Sequence, residues 1–252
     1  MDNLIDMLTK LVTTVKSCAQ NNKGLALTIG AIAGVLVHQG TRMRSLSSTA
    51  DVAAPSDSKR KKSMLYTRTG DQGMSSLYNG ERRAKTDPIF DALGEQDELC
   101  AAIGIAREYC HISQNGLSPM LIDIQSRLFD LGACVATPRN DKSSPDKIVY
   151  TTFSARHTEQ LEAWIDALDA EMNPLTTFII PSGGLSSTHL HMARVVCRRA
   201  ERAVFPLVML GQIDQEVGRY LNRLSDLLFA AARVAASREG HAEIPWKKAG
   251  SS

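Results

Sequence analysis

The stretch DPIFDALGEQDELCAAIGIAREY, residues 87–109, reads as a helix with a marked start. Asp87 can accept from the first backbone N–H groups, and Pro88 sits at the first helical position, where its missing N–H costs nothing. Phe90, Leu93, Leu99, Ala102, Ile103 and Ala106 recur at helical spacing and make an apolar stripe.

The same punctuation recurs along the chain. Residues 118–135 open on Ser118, read as the cap, and Pro119; Pro138 follows the end, and Leu121, Ile124, Leu128 and Leu131 repeat at three and four. Residues 154–171 turn Leu161, Trp164, Ile165 and Leu168 inward and stop at Asn173-Pro174. A fourth helix follows Ser182-Gly183-Gly184 and runs to residue 210; a fifth runs from Asp214 to Ser237, with Gly240 just beyond. No stretch of comparable length favours strands, and no internal repeat is evident. Helices of this length with short connections predict an all-α, up-and-down five-helix bundle with a four-helix-bundle-like core.

Outward from the bundle, the chain of 252 residues divides into an extension at 1–64, a body at 65–240 and a tail at 241–252. Through residue 65 there are nine Lys/Arg against four Asp/Glu, and beyond it 20 against 23. A mildly acidic body is a poor fit to a nucleic-acid binder. The five cysteines, Cys18, Cys100, Cys110, Cys134 and Cys197, include no CxxC pair and read as buried free thiols of a reducing compartment. The apolar run 25–37 has 13 residues, short for a bilayer span of about 20. With the Arg/Ser-rich TRMRSLSSTA after it, the extension is expected to be a targeting segment rather than a secretory signal or membrane anchor, and residues 45–63 a disordered linker. The expected location is the mitochondrial matrix, with the cytoplasm as the alternative.

Four segments carry chemistry. The polar stretch YTRTGDQGMSS, residues 66–76, has glycines that let backbone N–H groups turn to an anion, hydroxyls beside them, and Lys85 downstream. It lacks the Walker A pattern, and an ordinary polar turn would look similar. In HLHMARVVCRRAER, Arg194, Arg198 and Arg202 fall at i, i+4 and i+8 on one helical face, with Glu201 beside them. Such a row suits a polyphosphate or a carboxylate across an interface; a salt-bridged surface is the plain alternative. His189 and His191 are two apart and make a poor metal pair. In YLNRLSDLLFAAAR, Asn222 and Asp226 share a face, with Arg219 and Arg233 near it; Asn222 could read an adenine or ribose edge. In GEQDELC, Asp97 is expected to be buried and to need an arginine partner.

TRTGDQG, GxxDEL, FIIPSGG followed by LHxARxxCRRAER, and YLNRLSDLLF, in that order over residues 65–237, resemble the ATP:cob(I)alamin adenosyltransferases of the propanediol-utilisation type, closest to the mitochondrial branch. The resemblance implies a homotrimer with active sites between subunits. It puts ATP on Thr67, Arg68, Thr69, Gly70, Ser75, Ser76 and Lys85 of one copy, and on Arg198, Arg199, Glu201, Arg202 and Asn222 of its neighbour. It pairs Asp97 with Arg194 across the interface. It makes Phe178 the residue that closes the corrinoid pocket and displaces the lower ligand. The implied reaction moves the 5′-deoxyadenosyl group of ATP, with Mg²⁺, to the cobalt of cob(I)alamin, reached from cob(II)alamin, and releases triphosphate. A cobalamin-dependent mutase and a reductase are the implied protein partners. Relatives carry DELN where this chain has Cys100. A ferritin-like di-metal bundle needs two ExxH pairs, and only Glu108 and His111 have that spacing. An ATP-binding cofactor chaperone or sensor is the other reading.

Overall fold

The structure is a computed structural model that describes residue 66 and residues 68–250. The apolar run, the targeting segment, the linker, Cys18 and Thr67 lie outside the described residues.

Among the described residues there are six helices. The elements run β1 (Met74–Ser76), β2 (Arg82–Ala84), α1 (Pro88–Ile112), α2 (Ser118–Val135), α3 (Pro145–Tyr150), α4 (Arg156–Asp169), β3 (Ile179–Ile180), α5 (Gly184–Met209), α6 (Gln215–Arg238) and β4 (Ile244–Pro245). The five long helices stand where the periodicity put them. α3 has six residues, too few to show a period. Strands β1 and β2 form one antiparallel pair, and β3 and β4 another.

Helix neighbours follow the order α2, α1, α5, α6, α4. α6 is central: 15 of its 24 residues are buried, including the small run Ala230, Ala231, Ala232, Ala235 and Ala236. α5 meets it at His191, Arg194, Cys197, Glu201 and Phe205, and meets α1 at His189 and Arg199. Leu221, Leu224 and Leu228 point inward as expected. On α1 the stripe is centred on Ile89, Ala92, Leu99, Ile103 and Ala106, which are fully buried, while Phe90, Leu93 and Ala102 pack at its edge. α1 and α2 approach closely at Gly132, where an added Cβ would stand 2.7 Å from the buried Gln96 Oε1.

The helix starts differ in kind. Asp87 Oδ1 accepts from the Ile89 N–H at 3.0 Å, as read from sequence. Ser118, by contrast, is already inside α2; Leu117 is the cap residue, and its N–H goes to Asn115 Oδ1 at 3.1 Å. α5 has no side-chain cap. It starts from Gly183 and Gly184, both near φ +90°. A Cβ on Gly183 would sit 2.5 Å from Ala236 Cβ, and one on Gly184 2.4 Å from His241 Cδ2, so this turn tolerates only glycine. The turn joins β3, which carries Ile179 and Ile180, to the helix that carries the arginine row.

Removing a core side chain at the α1 seam tests this packing. Ile103→Ala should cost about 3 kcal/mol of unfolding free energy, read by urea denaturation, because a fully buried aliphatic leaves a cavity. A loss below about 1 kcal/mol would place Ile103 outside a close-packed core.

Candidate functional site

Two regions hold the residues singled out in the sequence. The first is the hairpin ahead of α1. Ser76 pairs with Arg82 and Met74 with Ala84. The Leu77–Gly80 turn closes with Gly80 N–H on Leu77 O at 3.0 Å. Ahead of β1, the Gly73 N–H reaches Gly70 O at 3.2 Å, and the Lys85 N–H reaches Gly73 O at 2.8 Å. These bonds fold the glycine-bearing segment back on Lys85, whose Nζ would stand 3.2 Å from a Cβ added at Gly70. Arg68 has φ +59° and holds its guanidinium 5.4 Å from the centre of the Tyr66 ring. Thr69 and Ser76 are exposed, and Ser75 is half-buried.

Glu81 roots this hairpin. It takes Arg83 Nη2 at 3.0 Å, Lys142 Nζ at 3.1 Å and Asn140 Nδ2 at 3.2 Å. The Arg83 contact, with Lys142 and Asn140 adding to it, holds its carboxyl at about 2 against an ordinary 4.5, although burial opposes ionisation. Arg83 also reaches Asp87 Oδ2 at 3.3 Å, so the carboxylate that caps α1 with one oxygen ties the hairpin with the other. Tyr78 N–H donates to Ala136 O at 3.0 Å, and Lys147 Nζ donates to Tyr78 O at 3.1 Å. No sequence pattern marked Glu81; the run ERR reads as ordinary surface charge.

The second region lies on α5 and α6. Arg198 and Arg202 are exposed on one face of α5, and Arg202 Nη1 donates to Arg198 O at 3.0 Å. Glu201 and Asn222 meet there: Asn222 Nδ2 donates to Glu201 Oε1 at 2.8 Å. Arg194 starts the row half-buried, its guanidinium 6.0 Å from the centre of the Phe229 ring. Burial, with Arg198 one turn away, lowers its pKa. Phe229, the last residue of YLNRLSDLLF, lies seven residues past Asn222, two helical turns along α6. It also lines an open depression of about 460 Å³, with Leu175, Thr176, Thr177, Phe178 and Ile179. Phe178 stands 80 % exposed at the rim, and its carbonyl accepts the Trp246 N–H at 2.7 Å. The tail therefore contributes β4 and Trp246 beside the depression.

One expectation changes. Asp97 is exposed rather than buried, because position 97 points away from the seam; Gln96 is the polar residue inside. Arg199 is turned about 100° from Arg198 on the helix and belongs to α1: its Nε binds Glu95 Oε2 at 2.5 Å, and its Nη2 binds Glu98. It thus stands apart from Arg198 and Arg202. Cys100, Cys110, Cys134 and Cys197 are free and buried, and burial raises the pKa of each. At Cys100 the amide of Gln125 supplies polar contact, donating to the backbone carbonyl at 3.1 Å and lying 3.9 Å from Sγ. His189 stacks on Tyr109 at 4.5 Å, and His191 is buried 5.8 Å from the Phe229 ring. No group of three or more His, Cys, Asp or Glu among the described residues could hold a metal, and no described helix is long and apolar enough to cross a membrane.

The Glu81 network should be visible in acid. Its folded-state pKa lies below the unfolded one, so its stabilisation is complete at neutral pH and is lost as pH falls from about 4.5 towards 2. Glu81→Gln should lower the thermal midpoint at pH 7, and its difference from the wild type should shrink across that window. A difference independent of pH would contradict the assignment.

Comparison with known proteins gives one answer. The sequence model of the family described as cobalamin adenosyltransferase matches residues 65–235. Corrinoid adenosyltransferase MMAB of Mus musculus is 46% identical over 198 residues, 79% of this chain and 83% of that protein. The corrinoid adenosyltransferase of Mycobacterium tuberculosis is 40% identical over 190 residues, 74% and 94% of the two chains. A variant of the PduO-type ATP:corrinoid adenosyltransferase of Lactobacillus reuteri, complexed with cobalamin and ATP, superposes with a TM-score of 0.68 at 34% identity. It covers 73% of this chain and 99% of that one.

Proposed function

This chain belongs to the cobalamin adenosyltransferase family and transfers the adenosyl group of ATP to cobalamin, and we propose that it does so at a site shared between copies of itself. The observation that carries the placement is the junction at Phe229. That ring stands 6.0 Å from the Arg194 guanidinium and also lines the Phe178 depression. A row of guanidinium groups that starts at an apolar pocket suits a substrate pair with one polyanionic end and one reacting metal centre.

In this reading the corrinoid faces Phe178, and the triphosphate end of ATP, with Mg²⁺, lies along Arg198 and Arg202. One helical turn advances about 5.4 Å, so the row from Arg194 to Arg202 extends about 12 Å. Cobalt(I) attacks carbon 5′ of ATP. The Co–C bond forms as the C5′–O bond breaks, the metal gives up its electron pair to the new bond, and triphosphate leaves. The protein supplies no nucleophile; it positions the two substrates and stabilises the charge that develops on the leaving group. Arg198, Arg202 and Lys85 take that charge. Thr67, Arg68, Thr69, Gly70, Ser75 and Ser76 surround the phosphates, and Glu201 with Asn222 holds the nucleoside. Arg199, tied to α1 through Glu95 and Glu98, is the further candidate contact to ATP on α5. Phe178 excludes water and the lower ligand from cobalt, which eases reduction of cob(II)alamin.

A homotrimer, with hairpin and α5 from different copies, accords with the polar groups left over in one chain. Arg194 Nε is buried with no hydrogen-bond partner among the described residues, and Asp97 is an exposed carboxylate. Pairing them across an interface satisfies both. The mitochondrial matrix and the division at residues 64 and 240 remain as read from sequence.

Absorbance on adding ATP and Mg²⁺ to the protein with reduced corrinoid should show conversion to the alkyl-cobalt form. ATP binding without that change would leave a carrier instead of an enzyme. Arg198→Ala should lower kcat/KM for ATP about 100-fold or more, whichever cobalt state is supplied, as expected for loss of a charged donor to the leaving group. Phe178→Ala should impair turnover from cob(II)alamin far more than from pre-reduced cob(I)alamin; equal losses would separate Phe178 from the reduction step. Sedimentation should give three copies, and Arg194→Ala should loosen them; an unchanged profile with unchanged ATP affinity would remove the Asp97 pair.

A further inference from the structure

We infer that Arg82, on β2, is a positioning residue that sets the polarity of the nucleotide loop, turning its peptide and hydroxyl groups into donors for polyphosphate. The inference rests on the proposed placement of phosphate at residues 67–76.

Arg82 is exposed, yet both arms of its guanidinium reach into the loop. Nη2 donates to Thr69 O at 2.9 Å, and Nη1 donates to Ser76 Oγ at 3.4 Å. Its chain neighbours have other work: Glu81 and Arg83 pair with one another and root the hairpin on the residues after α2 and on Asp87. No ion pair to a carboxylate forms at Arg82 among the described residues, so its charge is not cancelled locally.

The consequence follows from peptide geometry. In a trans peptide the carbonyl and the next N–H point in opposite directions. Holding Thr69 O against Arg82 therefore aims the Gly70 N–H away from the guanidinium. In the next peptide the Gly70 carbonyl is taken by the Gly73 N–H, and Lys85 Nζ would stand 3.2 Å from a Cβ added at Gly70. The bared face of Gly70 thus offers a backbone donor with an ammonium beside it and with two carbonyls turned elsewhere. Ser76 obeys the same rule. Guanidinium can only donate, so Ser76 Oγ accepts from it and its own proton is directed elsewhere. Without Arg82 the Thr69 carbonyl could swing towards the anion and oppose it.

The test measures inorganic triphosphate affinity by calorimetry, and KM for ATP and for cobalamin by turnover, on the full chain carrying Arg82→Ala, Arg82→Lys or Lys85→Ala. Arg82→Ala should weaken triphosphate and raise KM for ATP by roughly 10- to 100-fold, the range for losing a hydrogen bond from a charged group. KM for cobalamin and the thermal midpoint should stay as in the wild type. Arg82→Lys should recover little, because one ammonium cannot span Thr69 O and Ser76 Oγ, whereas millimolar guanidinium added to Arg82→Ala should restore part of the loss. Full affinity in Arg82→Lys would make Arg82 a charge ligand of phosphate and overturn the positioning role. Unchanged affinity in Arg82→Ala beside a weakened Lys85→Ala would overturn it while leaving the loop as the phosphate site. Unchanged affinity in both would remove the loop reading together with the inference.

Discussion

The seam between α5 and α6 is the contact on which the rest depends. α6 carries small side chains and leucines, and α5 meets it at His191, Arg194, Cys197, Glu201 and Phe205. The helices come close there, with Cys197 Sγ 3.2 Å from the Leu221 carbonyl. With that face committed, the 3.6-residue period leaves Arg198 and Arg202 outside and Arg194 at the edge, over Phe229. A substitution that widened this seam would move the cationic row and the aromatic floor together.

The hairpin is held by a different kind of force. Its hydrophobic contribution is small, with Leu77 its one buried apolar residue. Its place is fixed by charge: Lys142 to Glu81, Glu81 to Arg83, Arg83 to Asp87, and Asp87 to the first turn of α1. Partly buried ion pairs gain from geometry more than from depth, and here each carboxylate takes more than one donor. A polar loop can thus stand outside the bundle and still keep a defined shape.

Much of this was legible in the sequence. Asp87-Pro88 and the long apolar periods gave the bundle, because helices of 14 to 26 residues repeat their apolar positions often enough to be read. The two- and three-residue strands and α3 are too short to show one. At the site, the i, i+4, i+8 row located Arg194, Arg198 and Arg202 on one face, whereas Arg199 looked similar in the string and differs by a rotation of about 100°. Asp97 misled because helix membership does not say which side faces the seam; Gln96, one residue earlier, is the one inside. Arg82 and Glu81 carry no pattern at all, since their partners are set by turn geometry and by residues up to 61 positions away.

The four thiols of the body are walled in, and their burial keeps them protonated. Thiolates are soft ligands and strong nucleophiles. A catalyst handling low-valent cobalt would be poisoned by a sulfur able to coordinate the metal or compete for the alkyl group. Placing every thiol of the body inside the fold removes that side reaction at its source, so the organometallic product forms where no thiolate competes for it.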